Sequence, residues 1–344
     1  MDAKIGNTAC YKLLKGSTVG VVGVSEKDGQ SHSGPELAPE TLRKSGLFDV
    51  IKSNDWKIND YGDIKDTKES TVNVDLHKDV KKVTNLKSNI SKIGHMNKAL
   101  HDISKTRAEK GEFSLTLGGD AGILTGSISG MKAHYPNLKV IFVGAHGNFN
   151  TPETSLTGNY HGMPIAHLLG LIPEGTVPGF DWFKPCLTSK DICIFGLRNI
   201  DTKEKVLLRK HNIKCFTMHE ILKNGIGDVL NQAIEYLRKD DDKSNPSPIH
   251  ITFDIDAIDP SEAFATGTKS RGGLLYREAQ YLVREVANTG CLVGLDIVEI
   301  NPLMDTKLEK FHGDNRNITA DTETVALGLE IISCALGDFL EMFY

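Results

Sequence analysis

Lys139-Val140-Ile141-Phe142-Val143 is followed at once by Gly144-Ala145-His146-Gly147-Asn148-Phe149-Asn150. The first stretch is apolar without alternation. That pattern suits a strand buried on both faces, which occurs in parallel sheets covered by helices on each side. The second stretch is polar and rich in glycine, as expected of a loop leaving the carboxyl end of such a strand. Similar runs predict strands over Thr18–Val24, Trp56–Tyr61, Phe113–Leu117, Asp191–Phe195, Lys214–Thr217, Ile249–Phe253 and Cys291–Leu295. Between them lie helical stretches. Leu86–Lys110 carries Ile90, Ile93, Met96, Leu100 and Ile103 at helical spacing. Glu220–Lys239, Arg277–Asn288 and Thr319–Phe343 are the others, the last apolar on more than one side. This alternation predicts a single doubly wound α/β domain over residues 1–344, with an eight-stranded, mainly parallel sheet and helices on both faces. Residues 1–16 are expected to form a flexible N-terminal segment.

Composition narrows the function classes. The chain has 344 residues, of which 39% are hydrophobic, enough for a substantial core. The formal net charge of -5 is spread without a basic stripe, which argues against a nucleic-acid partner. The 6 cysteines show no CxxC pairing and read as buried thiols of a reducing compartment. Met1 to Gly16 contains no long apolar run, and no stretch approaches the ~18 consecutive apolar residues of a membrane helix. No membrane contact and a cytoplasmic location are the resulting expectations. The only low-complexity patch, Lys239 to Pro246, is too short to link two domains.

In an open α/β sheet, ligands bind outside the carboxyl ends of the strands. Five predicted strand exits carry polar groups toward one rim. They are Gly118-Gly119-Asp120-Ala121-Gly122, the 144–150 stretch above, Gly196-Leu197-Arg198-Asn199-Ile200-Asp201, Asp254-Ile255-Asp256-Ala257-Ile258-Asp259-Pro260, and Asp296-Ile297-Val298-Glu299-Ile300-Asn301-Pro302. Asp254 and Asp256 are the sharpest pair. Residues two apart on a strand share a face, so two carboxylates would stand side by side. Such a pair resists joint ionisation unless a cation or a proton intervenes. It reads either as a site for a hard metal ion or as turn carboxylates that cap the next segment.

Gly118-Gly119-Asp120, Gly144-Ala145-His146 and Asp254-Ile255-Asp256-Ala257-Ile258-Asp259-Pro260 together resemble the three metal-binding signatures of the arginase (ureohydrolase) family. The resemblance extends, in order, from Gly34-Pro35-Glu36 and Asp60-Tyr61-Gly62-Asp63 through Thr157-Gly158-Asn159-Tyr160-His161-Gly162 and Ala265-Thr266-Gly267-Thr268 to Gly294–Pro302. Asn150-Thr151-Pro152 and Gly158-Asn159-Tyr160-His161 favour the arginase branch over the agmatinase branch. The family implies a pair of manganese ions whose bridging hydroxide attacks the guanidinium of arginine, giving ornithine and urea. Two histidines and four aspartates hold the metals. Carried over position by position, His146, Asp254 and Asp256 match ligands. Ala121 stands where the first histidine is expected, and Gly144 and Asn148 where two aspartates are expected. Alanine and glycine bring no donor, and asparagine brings a neutral one. The more exposed metal position is therefore expected to be lost. The deeper one should be vacant or hold a single divalent ion weakly. Gly144 and Gly147 flank His146 and are expected to adopt backbone angles closed to aspartate.

The rest of the site is better kept. By the same resemblance, His161 matches the proton-shuttling histidine. Asn150, Thr157 and Asp201 match contacts to the amino-acid end of the substrate, with threonine in place of the usual serine at 157. Glu204 matches a residue that reaches the α-amino group through water, and Thr268 and Glu299 match neighbours of the guanidinium. Asn199 replaces a common aspartate. A metal lowers the pKa of bound water toward ~7, and without it a guanidinium is hard to hydrolyse. The sequence thus predicts a non-catalytic relative in which His161 and Glu299 are vestigial. A weak single-metal guanidine hydrolase is the alternative. An amino acid such as arginine or ornithine is the expected partner, and the resemblance implies a homotrimer.

Overall fold

The computed structural model describes residues 11–64, 85–87, 89–242, 244–306, 319–320 and 322–337. Eight strands form one sheet: β1 (Thr18–Val24), β2 (Lys57–Ile64), β3 (Phe113–Leu117), β4 (Lys139–Val143), β5 (Ile192–Leu197), β6 (Lys214–Thr217), β7 (Ile249–Asp254) and β8 (Leu292–Val298). Their order is β2-β1-β3-β8-β7-β4-β5-β6, and every pair is parallel. Parallel strands need crossovers, and helices supply them. Strands β4 and β5 are buried at nearly every position, as their apolar runs require, and β3 and β7 are buried as fully although they alternate apolar residues with Ser114, Thr116, His250 and Thr252.

Ten α-helices flank the sheet among the described residues: α1 (Ala38–Lys44), α2 (Leu47–Ser53), α3 (Ile90–Lys110), α4 (Leu124–His134), α5 (Pro164–Leu168), α6 (Thr202–Lys210), α7 (Met218–Asn224), α8 (Ile226–Leu237), α9 (Tyr276–Asn288) and α10 (Glu323–Ala335). Two apolar layers result. One joins α1, α2 and α7 to α10 through residues such as Leu42, Ile51, Leu230, Leu282 and Ile332 to one sheet face. The other joins α3 to α6 through Ile93, Leu100, Ile128, Ile165 and Leu208 to the opposite face.

The expected helix over Glu220–Lys239 is two helices. Gly225 sits at φ 83, ψ 149, outside helical space, and its N–H closes α7 onto the carbonyl of Ile221. Within the expected Thr319–Phe343 helix, the described part is α10. It starts where the Asp305 carboxylate accepts the N–H groups of Thr324 (3.0 Å) and Val325 (2.9 Å). Residues 338–343 lie outside the described residues, as do residues 1–10 of the expected N-terminal segment. Among the described residues no helix is long and apolar enough to cross a membrane.

Strand order sets the site. β3 and β8 meet β7 and β4 at the centre of the sheet, so the exits of four central strands open onto one rim. Beneath that rim runs a buried polar seam. Arg107 of α3 donates to the carbonyls of Gly20 and Leu115 and to Thr116. Asp296 accepts from Ser127 of α4, and its other oxygen faces His250 and Thr252.

Candidate active site

β7 ends at Asp254, and the chain then turns through a 3-10 segment, Ile255–Ala257. Asp256 therefore does not continue the strand, and the alternation argument fails for it. The Asp254 carboxylate accepts the N–H of Asp256 at 3.0 Å, which fixes the turn. The carboxylates are nonetheless neighbours, and both are buried. Burial, Asp256 and Glu299 push the Asp254 carboxyl well above the usual carboxylate range. Burial acts on Asp256 in the same direction, but His146, the Ala145 N–H and Arg198 outweigh it and hold that carboxyl low. Asp254 is thus the member of the pair that keeps its proton more readily.

Around Asp256 the chain is tightly held. Its Oδ1 accepts the Ala145 N–H at 2.8 Å, and its Oδ2 lies 2.6 Å from Nδ1 of His146. Asn199 Nδ2 faces the other ring nitrogen, Nε2, at 3.1 Å. Arg198 reaches from the β5 exit to the carbonyls of Gly196, Asp256, Ala257, Ile258 and Ser270. Burial opposes a charge on His146, but Asp256 overcomes it and raises the imidazole pKa.

After β8, Glu299 takes a left-handed backbone conformation, φ 66, costly for a residue with a side chain. This places its Oε1 to accept the Ala121 N–H at 2.9 Å and to face Nδ1 of His161 at 3.0 Å. Burial disfavours the charged form of His161, yet its bond to Glu299 prevails and raises its pKa. His161 lies in a 3-10 turn, Tyr160–Gly162, which Tyr160 anchors. Tyr160 lies between Thr125 (2.8 Å) and Nδ1 of His167 (2.7 Å) under the loop.

The amino-acid rim is equally specific. Asn150 Nδ2 donates to Asp201 at 3.3 Å, and its Oδ1 accepts from Thr154 at 2.9 Å. Glu204, buried on α6, accepts the Phe149 N–H at 2.8 Å. Thr157 accepts the Asn159 N–H at 3.2 Å. Asn148 is left-handed at φ 47, and its buried Nδ2 has no partner among the described residues.

One cavity of about 270 Å³ gathers these groups. His146, Asn148, Asn150, Thr157, His161, Asp201, Glu204, Asp254, Asp256, Thr268 and Glu299 all line it, whereas Ala121 and Gly144 do not. Ala121 is buried and offers its backbone N–H to Glu299. Neither Gly144 nor Gly147 has a positive φ, so the backbone is not what excludes aspartate there. Space is the obstacle. A Cβ on Gly144 would meet the Phe142 ring at 2.9 Å, and one on Gly147 would meet Glu204 Oε1 at 2.6 Å.

Sequence reasoning missed two buried carboxylates behind the site. Asp120 Oδ1 accepts the Gly122 N–H at 2.8 Å, and Glu26 Oε1 accepts the Lys27 N–H at 2.8 Å and that of Asp28. The second oxygen of each is buried and unpartnered among the described residues. Burial first, then Glu299 and Glu26, pushes Asp120 well above the usual range. Asp120 stood in a quoted motif without a role, and nothing in the pattern around Glu26 marks it. Leu156, 76% exposed, is a second surprise: it is an apolar residue on the cavity rim.

Of the positions that the resemblance assigns to metal ligands, His146, Asn148, Asp254 and Asp256 line the cavity. His146 spends Nδ1 on Asp256, the two positions that lost their donors contribute nothing to the cavity, and Asn148 offers a neutral amide. Among the described residues no group of three or more His, Cys, Asp or Glu side chains is arranged to hold a metal ion.

Residues 17–337 match the model of the arginase family. The arginase of Plasmodium berghei is 40% identical over 333 residues, covering 93% of this chain and 93% of that protein. The arginase of Bacillus caldovelox superposes with a TM-score of 0.79 at 30% identity, covering 94% of this chain and 100% of the other. The arginase of Entamoeba histolytica, solved in complex with L-ornithine, superposes with a TM-score of 0.77 at 27% identity, covering 95% and 100%.

Proposed function

This chain belongs to the arginase family, and from that premise we propose that it binds a cationic amino acid such as arginine or ornithine without hydrolysing it. The observation that carries the reading is the 2.6 Å bond between His146 Nδ1 and Asp256 Oδ2, in a donor set to which Ala121 and Gly144 add nothing. In the family, manganese supplies an ionised water at neutral pH. The residues here do not fit that ion pair. A neutral water beside His161 is a poor nucleophile toward a guanidinium, which is a poor electrophile.

Binding has separate support. Asp201, Glu204, Asp254, Asp256 and Glu299 share the cavity with only two histidines, which favours a cationic ligand. The Entamoeba relative was solved with L-ornithine. Thermal melts of chelator-treated protein with millimolar L-arginine or L-ornithine, beside a urea-release assay with added manganese, test the proposal. The melting temperature should rise with amino acid, and urea should stay at the level of a protein-free control. A flat melting temperature removes the ligand. Two manganese ions per chain with sustained urea release removes the loss of catalysis.

A single-metal hydrolase is the second reading, because His146, Asp254, Asp256 and His161 share one cavity. It requires urea release in excess Mn, Zn or Fe that disappears in Asp254→Asn. We also propose a cytoplasmic homotrimer. Cys186, Cys193, Cys215 and Cys291 are free thiols, as a reducing compartment allows, and sedimentation reads its assembly state.

A further inference from the structure

Asn85 stands a few residues before α3, and its side chain reaches the rim of the cavity. Its Nδ2 donates to two carbonyls of one loop, those of Pro152 and Ser155, each at 2.9 Å. Only the NH2 of an amide can face two carbonyl oxygens, so these contacts fix which way the side chain points. Gly158 of the same loop lies against it at φ 70. A Cβ there would stand 3.1 Å from Asn85 Oδ1 and 3.2 Å from the Asn85 carbonyl oxygen, an approach that suits glycine.

Among the described residues, these are the only hydrogen bonds that tie residues 151–158 to a distant segment. The others made by that stretch stay within residues 150–159. Ser155 Oγ, for example, accepts the Gly158 N–H at 3.0 Å. Packing adds little, because residues 155–157 are half-buried or exposed. Yet Ser155, Leu156 and Thr157 line the cavity. Thr157 Oγ1 accepts the Asn159 N–H at 3.2 Å, which leaves its own hydrogen to donate. Five carboxylates line the same cavity, so a ligand carboxylate needs its few donors set in place beforehand.

We propose that Asn85 is a positioning residue for ligand selectivity. By clamping the Ser155 carbonyl it holds the Thr157 hydroxyl at the rim, and so favours ligands that carry an α-carboxylate over those that carry amines alone. This rests on the cationic amino-acid reading given above, and two readouts keep the failures apart. The first uses ligand-free protein. Amide hydrogen exchange at Gly158 and Asn159 should speed up about ten-fold in Asn85→Leu, the scale of losing one or two hydrogen bonds. Unchanged exchange overturns the clamp. The second is calorimetry with L-ornithine and with 1,4-diaminobutane, the same chain without its carboxylate. Wild type should bind L-ornithine more tightly. Asn85→Leu and Asn85→Ala should each weaken L-ornithine about ten-fold, as when a ligand must order the loop it meets, and leave the Kd of the diamine unchanged. Equal weakening of both ligands makes Asn85 a general support and overturns the proposal, as does no weakening. A wild type that binds neither ligand refutes the amino-acid reading itself and the selectivity with it. Asn85 is exposed, so both variants are compatible with the fold.

Discussion

The carboxylate of Asp254 accepts the backbone N–H of Asp256 at 3.0 Å, so one member of the acidic pair builds the turn that carries the other. Capping and charge are therefore combined in a single side chain, and substitutions can separate them.

Asp254→Asn keeps an acceptor for the turn and removes a charge beside Asp256 and Glu299. Asp254→Ala removes both. The alanine variant should lose about 1 kcal/mol through the missing cap, while the asparagine variant should not. The pH dependence has a definite sign. Burial, Asp256 and Glu299 raise the folded-state pKa of Asp254. The native protein then holds that proton more tightly than the unfolded chain. The stability this contributes is present at low pH and fades as pH rises through the folded value. The advantage of Asp254→Asn over wild type should accordingly grow with pH, as read by urea denaturation at several pH values.

His167 behaves in the opposite sense. Burial lowers its pKa from the usual 6.5 to about 3. The unfolded chain binds this proton first, so stability falls as pH drops below about 6.5 and continues to fall toward the folded value. His167→Gln should flatten the acid limb of the stability curve. A limb of unchanged steepness would assign the acid loss to other groups.

Gly144→Asp tests space at the β4 exit. The new Cβ meets the Phe142 ring at 2.9 Å, and crowding of that kind costs about 1–3 kcal/mol. Phe142→Leu in the same chain should recover part of that loss. A single variant as stable as wild type would show that the ring moves aside freely.

Glu204 separates scaffold from ligand contact. Its Oε1 accepts the buried Phe149 N–H, so Glu204→Ala should cost about 1–3 kcal/mol. Glu204→Gln retains an acceptor and should melt near wild type. It should bind L-ornithine more weakly by calorimetry if the carboxylate meets the ligand amine.

Most of the sheet was legible because parallel strands buried on both faces leave unbroken apolar runs, as in Val140–Val143. The split at Gly225 was not, since hydrophobic spacing runs on through α7 and α8 and only the dihedral of one glycine interrupts it. The cavity residues were legible because their motifs follow strand ends in recognisable order, but Asp120, Asp259 and Asp296 from the same motifs do not line the cavity, and Asp296 lies within β8. Three things were hidden. Asp256 leaves the strand, because Asp254 captures its N–H. The crowding at Gly144 depends on a ring two residues earlier, which spacing does not reveal. Glu26 arrives from β1, far away in sequence, and its proximity to Asp120 is a product of strand order alone.

Arg198 binds carbonyls from the β5 exit, the turn after β7 and the loop at Ser270 with one planar group. Three segments remote in sequence are thereby bolted to a shared bracket. Solvent exchange of the amides in 256–258 and 270–273 should then share one opening free energy, because neither segment can move away without releasing the other from Arg198.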